Sequence, residues 1–308
     1  MSPYAGQDRS SKMSTTQQKE HPKFATFWHG PELSPYDLAC LSSFVKRGYQ
    51  VSVYSYEQVS NLPAWVIAKD ASQILPPDSL YKFVVNGKPS LAHFSDHFRF
   101  AMFLKTDEVW IDTDIILLRD FDLDVSGNLM GFEDPGRICT AVLRLDKNDP
   151  RTKLCLNRVD AMVGAPIKWG DTGPRLLTSV YAAGGAMPQS VFYPVHYNSF
   201  YKVFVPELAG ECVQLCSGSY TLHLWNHIVL EMGLYNRIGP PRGSYLYDLF
   251  DSFGATEFFS DFYPASVIKH MVSNVTERPS KHAGVMTVLR LLPCAFKLAI
   301  MRRLGRVW

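Results

Sequence analysis

One stretch of the chain reads Val109-Trp110-Ile111-Asp112-Thr113-Asp114-Ile115-Ile116-Leu117-Leu118, an apolar run with two carboxylates one residue apart. A continuous apolar run predicts a strand buried on both faces, as in a parallel sheet. Burying an unpaired carboxylate is costly, so two of them in one strand call for a counter-charge. A divalent metal shared with a phosphate would supply it, because hard cations prefer oxygen ligands. An Asp that caps the following loop is the alternative interpretation.

A predicted helix precedes this strand. Residues 91–105 carry apolar side chains at helical spacing, and Ser90 is placed to act as the N-cap. Asp96 and Arg99 are three residues apart, so we expect them on one face of the helix. A helix that leads into a strand carrying two carboxylates is suited to hold an anion and its metal. The alternative is an ion pair on the helix surface, which stabilises a protein little.

Strands and helices alternate along the chain, which predicts an α/β fold with a mostly parallel sheet. In such sheets ligands bind beyond the carboxyl ends of the strands, where Trp28 and Asp112 fall. Residues 60–89 are rich in Pro, Asp, Ser and Asn and predict an irregular connection with short helical pieces. The predicted strands cover residues 24–28, 50–56, 109–118, 129–132 and 139–145, and the other predicted helices cover residues 34–46, 149–163 and 174–181.

Composition bounds the class of protein. The 308 residues are 46% hydrophobic and 13% aromatic, enough for one large domain with a substantial core. A net charge of +2 and the lack of any recognisable RNA- or DNA-binding motif argue against a nucleic-acid partner. The six cysteines are scattered without a paired spacing, and we expect reduced thiols rather than a zinc site.

The two ends of the sequence differ from its middle. Residues 1–22 are polar and predict a disordered leader without the apolar core of a signal peptide. No apolar run is long enough for a transmembrane helix, so a cytoplasmic protein is expected. Residues 276–308 form a basic amphipathic tail, with seven Lys or Arg and no acidic residue after position 277. This tail predicts peripheral contact with an anionic membrane surface, at the inner face; a C-terminal helix with a solvated basic face is the alternative.

Together these motifs resemble a known family. Ser95-Asp96-x-x-Arg99 followed by Trp110-Ile111-Asp112-Thr113-Asp114 is similar to the glycosyltransferases with a DXD-containing sugar-binding region. That family includes α-1,4-galactosyltransferases, yeast initiating mannosyltransferases and bacterial capsular polysaccharide enzymes, and more distantly the clostridial glucosylating toxins. The resemblance covers roughly residues 23–230. One departure is the segment Lys105-Thr106-Asp107-Glu108, which stands where the family usually has a Gly-Gly turn.

The resemblance implies a GT-A fold, a Rossmann-like sheet flanked by helices with an elaborated C-terminal part, here over residues 23–275. It also implies a metal-dependent hexosyltransferase that uses a nucleotide-sugar, most frequently a UDP-sugar, and retains the anomeric configuration. The acceptor would be a glycan or glycolipid in bacterial surface polysaccharide synthesis, because the Golgi relatives carry an N-terminal anchor and none is recognised here. Mn²⁺ or Mg²⁺ fits the expected oxygen ligands.

The resemblance also assigns roles to individual residues. Asp114 is expected to bind the metal directly, and Asp112 to reach it through water or to hold ribose and sugar hydroxyls. Asp96 is expected to accept sugar hydroxyls, with Arg99 beside the sugar or the β-phosphate. The remaining predicted donor-site residues are Trp28 stacked on the base, Thr113 in the motif (otherwise a strand residue facing away), Trp225 and Asn226 over the phosphates, and His223 at the metal.

Three other interpretations fit part of the pattern. A protein-modifying glycosyltransferase effector would share the donor site, because the acceptor half is built from loops that one sequence does not define. A non-catalytic nucleotide-sugar-binding protein would keep the scaffold without turnover. Phosphatases of the haloacid dehalogenase type also place Asp-x-Asp after an apolar strand, but in their first strand, whereas Asp112 follows some 85 residues of α/β pattern.

Overall fold

A computed structural model describes residues 21–182 and 184–276. The predicted leader (1–22, apart from its last two residues) and nearly all of the basic tail (276–308) lie outside the described residues. The strands are β1 Phe24–Phe27, β2 Val51–Ser55, β3 Ile67–Asp70, β4 Val84–Val85, β5 Lys88–Pro89, β6 Val109–Ile111, β7 Ile115–Leu117, β8 Leu129–Asp134, β9 Arg137–Arg144 and β10 Thr221–His223.

Helices alternate with these strands and cover the sheet. The α-helices are α1 Pro35–Val45, α2 Leu91–Phe103, α3 Pro150–Asp160, α4 Pro174–Tyr181, α5 Gln189–Phe192, α6 Ala209–Cys216, α7 Asn226–Glu231, α8 Tyr245–Ser252 and α9 Ala265–Thr276. Short 3₁₀ helices connect them at Ala71–Gln73, Pro77–Tyr81, Tyr197–Phe204, Pro206–Leu208 and Ala255–Phe258. In the described parts of the chain, no helix is long and apolar enough to cross a membrane.

Six strands form the central sheet in the order β3-β2-β1-β6-β9-β8. The first four are parallel, and β9 runs antiparallel to both β6 and β8. The prediction of an α/β fold with a mostly parallel sheet is therefore confirmed, and the architecture is consistent with a GT-A fold. Two buried clusters cover the sheet, one containing Phe24 and Phe44 and the other containing Phe98 and Trp110.

Local signals in the sequence account for the start of α1, the helix predicted after the first strand. Ser34 and Asp37 form a reciprocal capping box, and Pro35 occupies the first helical position. Ser90 also occupies the N-cap position of α2, but its hydroxyl contacts the Nδ1 atom of His93 at 2.6 Å instead of capping the backbone.

Two features differ from the sequence-based expectation. The single strand predicted over 109–118 is two strands, because Asp112–Asp114 turns the chain out of the central sheet and β7 pairs with β10 instead. The connection predicted as irregular over 60–89 contains β3, which extends the sheet beyond β2. Three of the four β3 residues are exposed. This edge strand therefore lacks the apolar pattern that indicates a strand.

Candidate functional site

A cavity of about 580 Å³ opens at the edge of the sheet where β1 and β6 end. Because these strands are parallel, the residues that follow them meet at one edge, as expected for ligand sites in open α/β sheets. All of the predicted site residues line this cavity: Trp28, Asp96, Arg99, Asp112, Thr113, Asp114, His223, Trp225 and Asn226.

The Asp-Thr-Asp turn is held at its first residue by the strands around it. The backbone N–H of Asp112 donates to the carbonyl of Ala141 at 2.8 Å, which continues the pairing of β6 with β9. Trp110 lies two residues earlier on the same strand face, and its Nε1–H donates to Asp112 Oδ1 at 2.7 Å. The orientation of this carboxylate is thus fixed by the strand that precedes it.

The pairing of β7 with β10 brings a histidine to the second carboxylate. Ile115 lies opposite His223 in the register, and His223 Nε2 lies 3.3 Å from Asp114 Oδ2. The same oxygen accepts the backbone N–H of Asn226 at 2.8 Å. Burial alone would raise the pKa of Asp114, but the charge of His223 and these hydrogen bonds hold it below its usual value. Conversely, burial opposes protonation of His223, and Asp114 more than compensates and raises the pKa of the imidazole.

Asp112, Asp114 and His223 could hold a metal ion. One ligand atom from each lies within 4.8 Å of the others, which is close enough for a shared cation. Two carboxylates and one imidazole are donors that Mn²⁺ accepts, and the oxygens also suit Mg²⁺. In addition, the buried Nδ1 of His223 has no hydrogen-bond partner among the described residues. The donor set therefore fits the divalent ion expected from the sequence.

Arg99 links the two carboxylate groups of the site. Its Nη1 donates to the carbonyl of Thr140 at 2.5 Å and lies 3.3 Å from Asp112 Oδ1. Its Nε lies 3.6 Å from Asp96 Oδ1, and the guanidinium stacks 4.5 Å from the centre of the Trp110 ring. A planar, multidentate cation is suited to hold several partners at fixed angles. Arg99 thereby positions both Asp96 and Asp112.

Asp96 is buried, and the backbone at Gly173 lies close to its carboxylate. Its Oδ2 accepts the hydroxyl of Thr172 at 2.8 Å. Gly173 leaves room for the carboxylate, since a Cβ built there would lie 2.6 Å from Asp96 Oδ1. Burial raises the pKa of Asp96, against the opposing charge of Arg99 and the hydrogen bond from Thr172. The Gly173-Pro174 pair therefore shapes this corner of the cavity.

The two tryptophans of the predicted site have different surroundings. Trp28 follows β1 and is only partly buried, and its indole Nε1 has no hydrogen-bond partner among the described residues. Trp225 is 9% exposed, and its Nε1–H donates to the carbonyl of Val195 at 3.0 Å. Trp225 adopts a left-handed conformation (φ 58°, ψ 48°), which is strained for a residue other than glycine. That conformation turns the next backbone N–H, from Asn226, toward Asp114.

Glu133 is a further acidic residue that lines the cavity, whereas its neighbour Asp134 does not. Glu133 is buried at the end of β8 and forms an ion pair with Arg137. Burial raises the pKa of Glu133, and contacts with Cys139 and Arg137 oppose that shift. Asp134 points elsewhere, because it accepts hydrogen bonds from His196 and Tyr197 at 2.7 Å each.

Sequence reasoning missed the support behind the Asp-Thr-Asp turn. The hydroxyl of Thr113 hydrogen-bonds the buried carboxylate of Asp37, whose other partner is Ser34. Burial raises the pKa of Asp37, partly offset by those hydrogen bonds. The only signal in the sequence is Ser34-x-x-Asp37, which predicts a helix cap and gives no reason to place Asp37 near Asp114.

Comparison with known proteins gives a match to a family model and a set of similar proteins. Residues 185–237, which include β10 and α7, match the alpha 1,4-glycosyltransferase conserved region. A stretch of 147 residues is 30% identical to lactosylceramide 4-alpha-galactosyltransferase from Mus musculus, and covers 43% of this chain and 40% of that protein. The enzymes of the same name from Rattus norvegicus and Homo sapiens are 29% and 28% identical, with 40% and 41% of their lengths covered.

The chain thus spans about two fifths of the length of these curated relatives. The match to the conserved region contains His223, Trp225 and Asn226, which the structure places around Asp114. These findings confirm the resemblance carried by the Asp-x-Asp motif: part of this chain is similar to glycosyltransferases of the α-1,4-galactosyltransferase type.

Proposed function

We propose that this protein is a metal-dependent hexosyltransferase that uses a UDP-sugar donor, retains the anomeric configuration and acts on a glycan or glycolipid acceptor. The observation that carries the proposal is the group formed by Asp112, Asp114 and His223 inside a cavity of about 580 Å³. A cavity of this size suits a small-molecule ligand such as a nucleotide-sugar. When bound, a divalent ion would stabilise the charge of the departing diphosphate as a Lewis acid.

The chain's own residues would bind and orient the donor. Trp28 offers a partly exposed ring for stacking on the base and an indole N–H that has no partner among residues 21–182 and 184–276. Asp96 lies on α2 and lines the same cavity, where it would accept hydroxyls of the donor sugar. Arg99 acts as a positioning residue, because its donors already contact Thr140, Asp96 and Asp112.

In the proposed reaction the bond between the anomeric carbon and the diphosphate oxygen breaks, and a bond to the acceptor oxygen forms. The acceptor hydroxyl loses its proton to the departing diphosphate on the same face, which is compatible with retention. Glu133, which is buried and lines the cavity, would contact the acceptor rather than the donor.

The mammalian relatives are named for lactosylceramide, so lactosyl glycosides are the first acceptors to test. A role in bacterial surface polysaccharide synthesis and a cytoplasmic location, peripheral to the membrane, stay predictions from the sequence.

Donor hydrolysis tests the proposal. The purified protein is incubated with UDP- and GDP-sugars in Mn²⁺, Mg²⁺ or EDTA, beside an Asp112→Asn/Asp114→Asn variant. We expect metal-dependent release of one nucleoside diphosphate that the variant and EDTA abolish. Absence of release, together with no metal-dependent donor binding by calorimetry, would refute a transferase and leave a non-catalytic scaffold.

A further inference from the structure

The mouth of the cavity is apolar, in contrast to its charged floor. Three of the cavity's lining residues are large, apolar and exposed: Leu91 by 44%, Trp169 by 58% and Leu230 by 51%. Ala92 and Ile228 line the same cavity between polar positions. We call these five residues the apolar collar. Exposed leucine side chains gain nothing from sugar hydroxyls, so the donor and metal do not account for them.

His93 links the two segments that carry Leu91 and Trp169. His93 Nδ1 contacts the hydroxyl of Ser90, next to Leu91, at 2.6 Å, and His93 Nε2 contacts the carbonyl of Lys168 at 3.2 Å. The backbone N–H of Lys168 also donates to Asp171 Oδ2 at 2.7 Å. Trp169 is therefore exposed on an anchored turn. Its position is set before any ligand binds, which lowers the entropic cost of binding.

Leu230, the third large member of the apolar collar, belongs to the helix whose first residue contacts Asp114. Leu230 lies four residues after Asn226 in α7, so the two share a helix face. Asn226 donates its backbone N–H to Asp114 at 2.8 Å. The distance between Leu230 and the proposed metal ligands is thereby set by one short helix.

We propose that the apolar collar binds the apolar aglycone of the acceptor, directly beside the sugar that receives the hexose. This inference rests on the proposed function, because only a transferase brings an acceptor hydroxyl to the donor sugar. An acceptor that reaches the buried floor must leave the cavity through its mouth, and the group attached to its sugar then lies against the collar. Burying alkyl surface there is favourable, because it removes apolar area from water.

Two other roles for the apolar collar are a platform for a sugar ring and a docking surface for a membrane. Stacking of a sugar ring would use the flat face of Trp169 and leave the leucines without a role. Docking on a membrane surface would use the collar whatever acceptor is present. Each alternative gives a different result in the experiment below.

Calorimetry measures binding of methyl, hexyl and octyl β-lactosides, below their micelle concentrations, in the presence of UDP and Mn²⁺. We expect octyl lactoside to bind at least tenfold more tightly than methyl lactoside. In a Trp169→Ser/Leu230→Ser variant this ratio should fall to about two or less. Val213→Ser is the matched control, because Val213 is 56% exposed on α6 and does not line the cavity; it should keep the full ratio.

Equal affinity across the chain lengths would overturn the inference. So would a collar variant that weakens methyl and octyl lactoside equally, which would indicate a platform for the sugar. A collar variant that loses binding to lipid vesicles but keeps the chain-length ratio would indicate membrane docking and overturn it too. Donor hydrolysis on the same samples separates the two proposals. Hydrolysis without a chain-length effect rejects the aglycone site alone. Absence of both hydrolysis and metal-dependent donor binding rejects the transferase, and with it the assignment of a bound alkyl group to an acceptor.

Discussion

Gly173→Ala tests whether the position of Asp96 controls the donor-sugar site. The added Cβ would lie 2.6 Å from Asp96 Oδ1 and closer still to Oδ2, whereas ordinary van der Waals contact begins at 3.4 Å, so the carboxylate or the backbone must move by at least 0.8 Å. Overpacking of this kind costs about 1–3 kcal/mol of the free energy of unfolding. A displacement near 1 Å at a binding group lowers rate by about 100-fold. We therefore expect kcat/KM for transfer to fall by about that factor.

Urea denaturation and steady-state kinetics measure the two effects. Gly210→Ala is the control, because nothing lies within 4 Å of a Cβ built there and Gly210 is in helix α6. It should leave kcat/KM unchanged and leave stability equal or up to about 1 kcal/mol higher. UDP binding should survive in Gly173→Ala, because Asp96 is proposed to contact the sugar and not the nucleotide. A Gly173→Ala protein with wild-type kcat/KM would show that Asp96 does not need this position.

Three further perturbations test single contacts within the fold. Thr113→Val should weaken Mn²⁺ binding by about 10-fold, measured by calorimetry, because it removes the hydroxyl that joins the Asp-Thr-Asp turn to Asp37, whereas Thr113→Ser should restore it. Burial lowers the pKa of His97 below its usual 6.5, with Lys82 adding to this effect and Asp160 opposing it. Stability is then complete above about pH 6.5 and declines as the pH falls, and His97→Gln should flatten that decline in thermal unfolding. Glu108→Ala should cost about 1–3 kcal/mol in urea denaturation, because Glu108 accepts hydrogen bonds from Tyr54 and Lys69 at 2.8 Å each.

Each of these predictions has a contrary outcome. Equal Mn²⁺ affinity in Thr113→Val and wild type would show that the turn needs no support from α1. An unchanged acid dependence in His97→Gln would assign the loss of stability to other groups. Asp107→Ala is the control for Glu108→Ala, because Asp107 is 65% exposed and its ion pairs should contribute little; equal losses in both variants would contradict the role given to Glu108.

The sequence predicts the elements whose signals are local. The Ser34-Pro35 start of α1, the period of α2 and the apolar run into Asp112 all lie within single segments, and the structure confirms the elements they indicate. The break in that run was not predicted, because the partner of β7 is β10, about a hundred residues later. Likewise, Trp169 carries no periodic signal, and only the folded chain shows that its turn borders the cavity.

The two-stranded pairing of β7 with β10 also has a consequence for how the protein is made. Asp114 and His223 are separated by more than a hundred residues and meet only through this small sheet. During synthesis at about 5–20 residues per second, the central strand β6 is complete roughly 5–20 s before β10 leaves the ribosome. Throughout that interval the paired carboxylates have no histidine. The proposed metal site would therefore form late in translation, on a sheet whose six strands have already been synthesised.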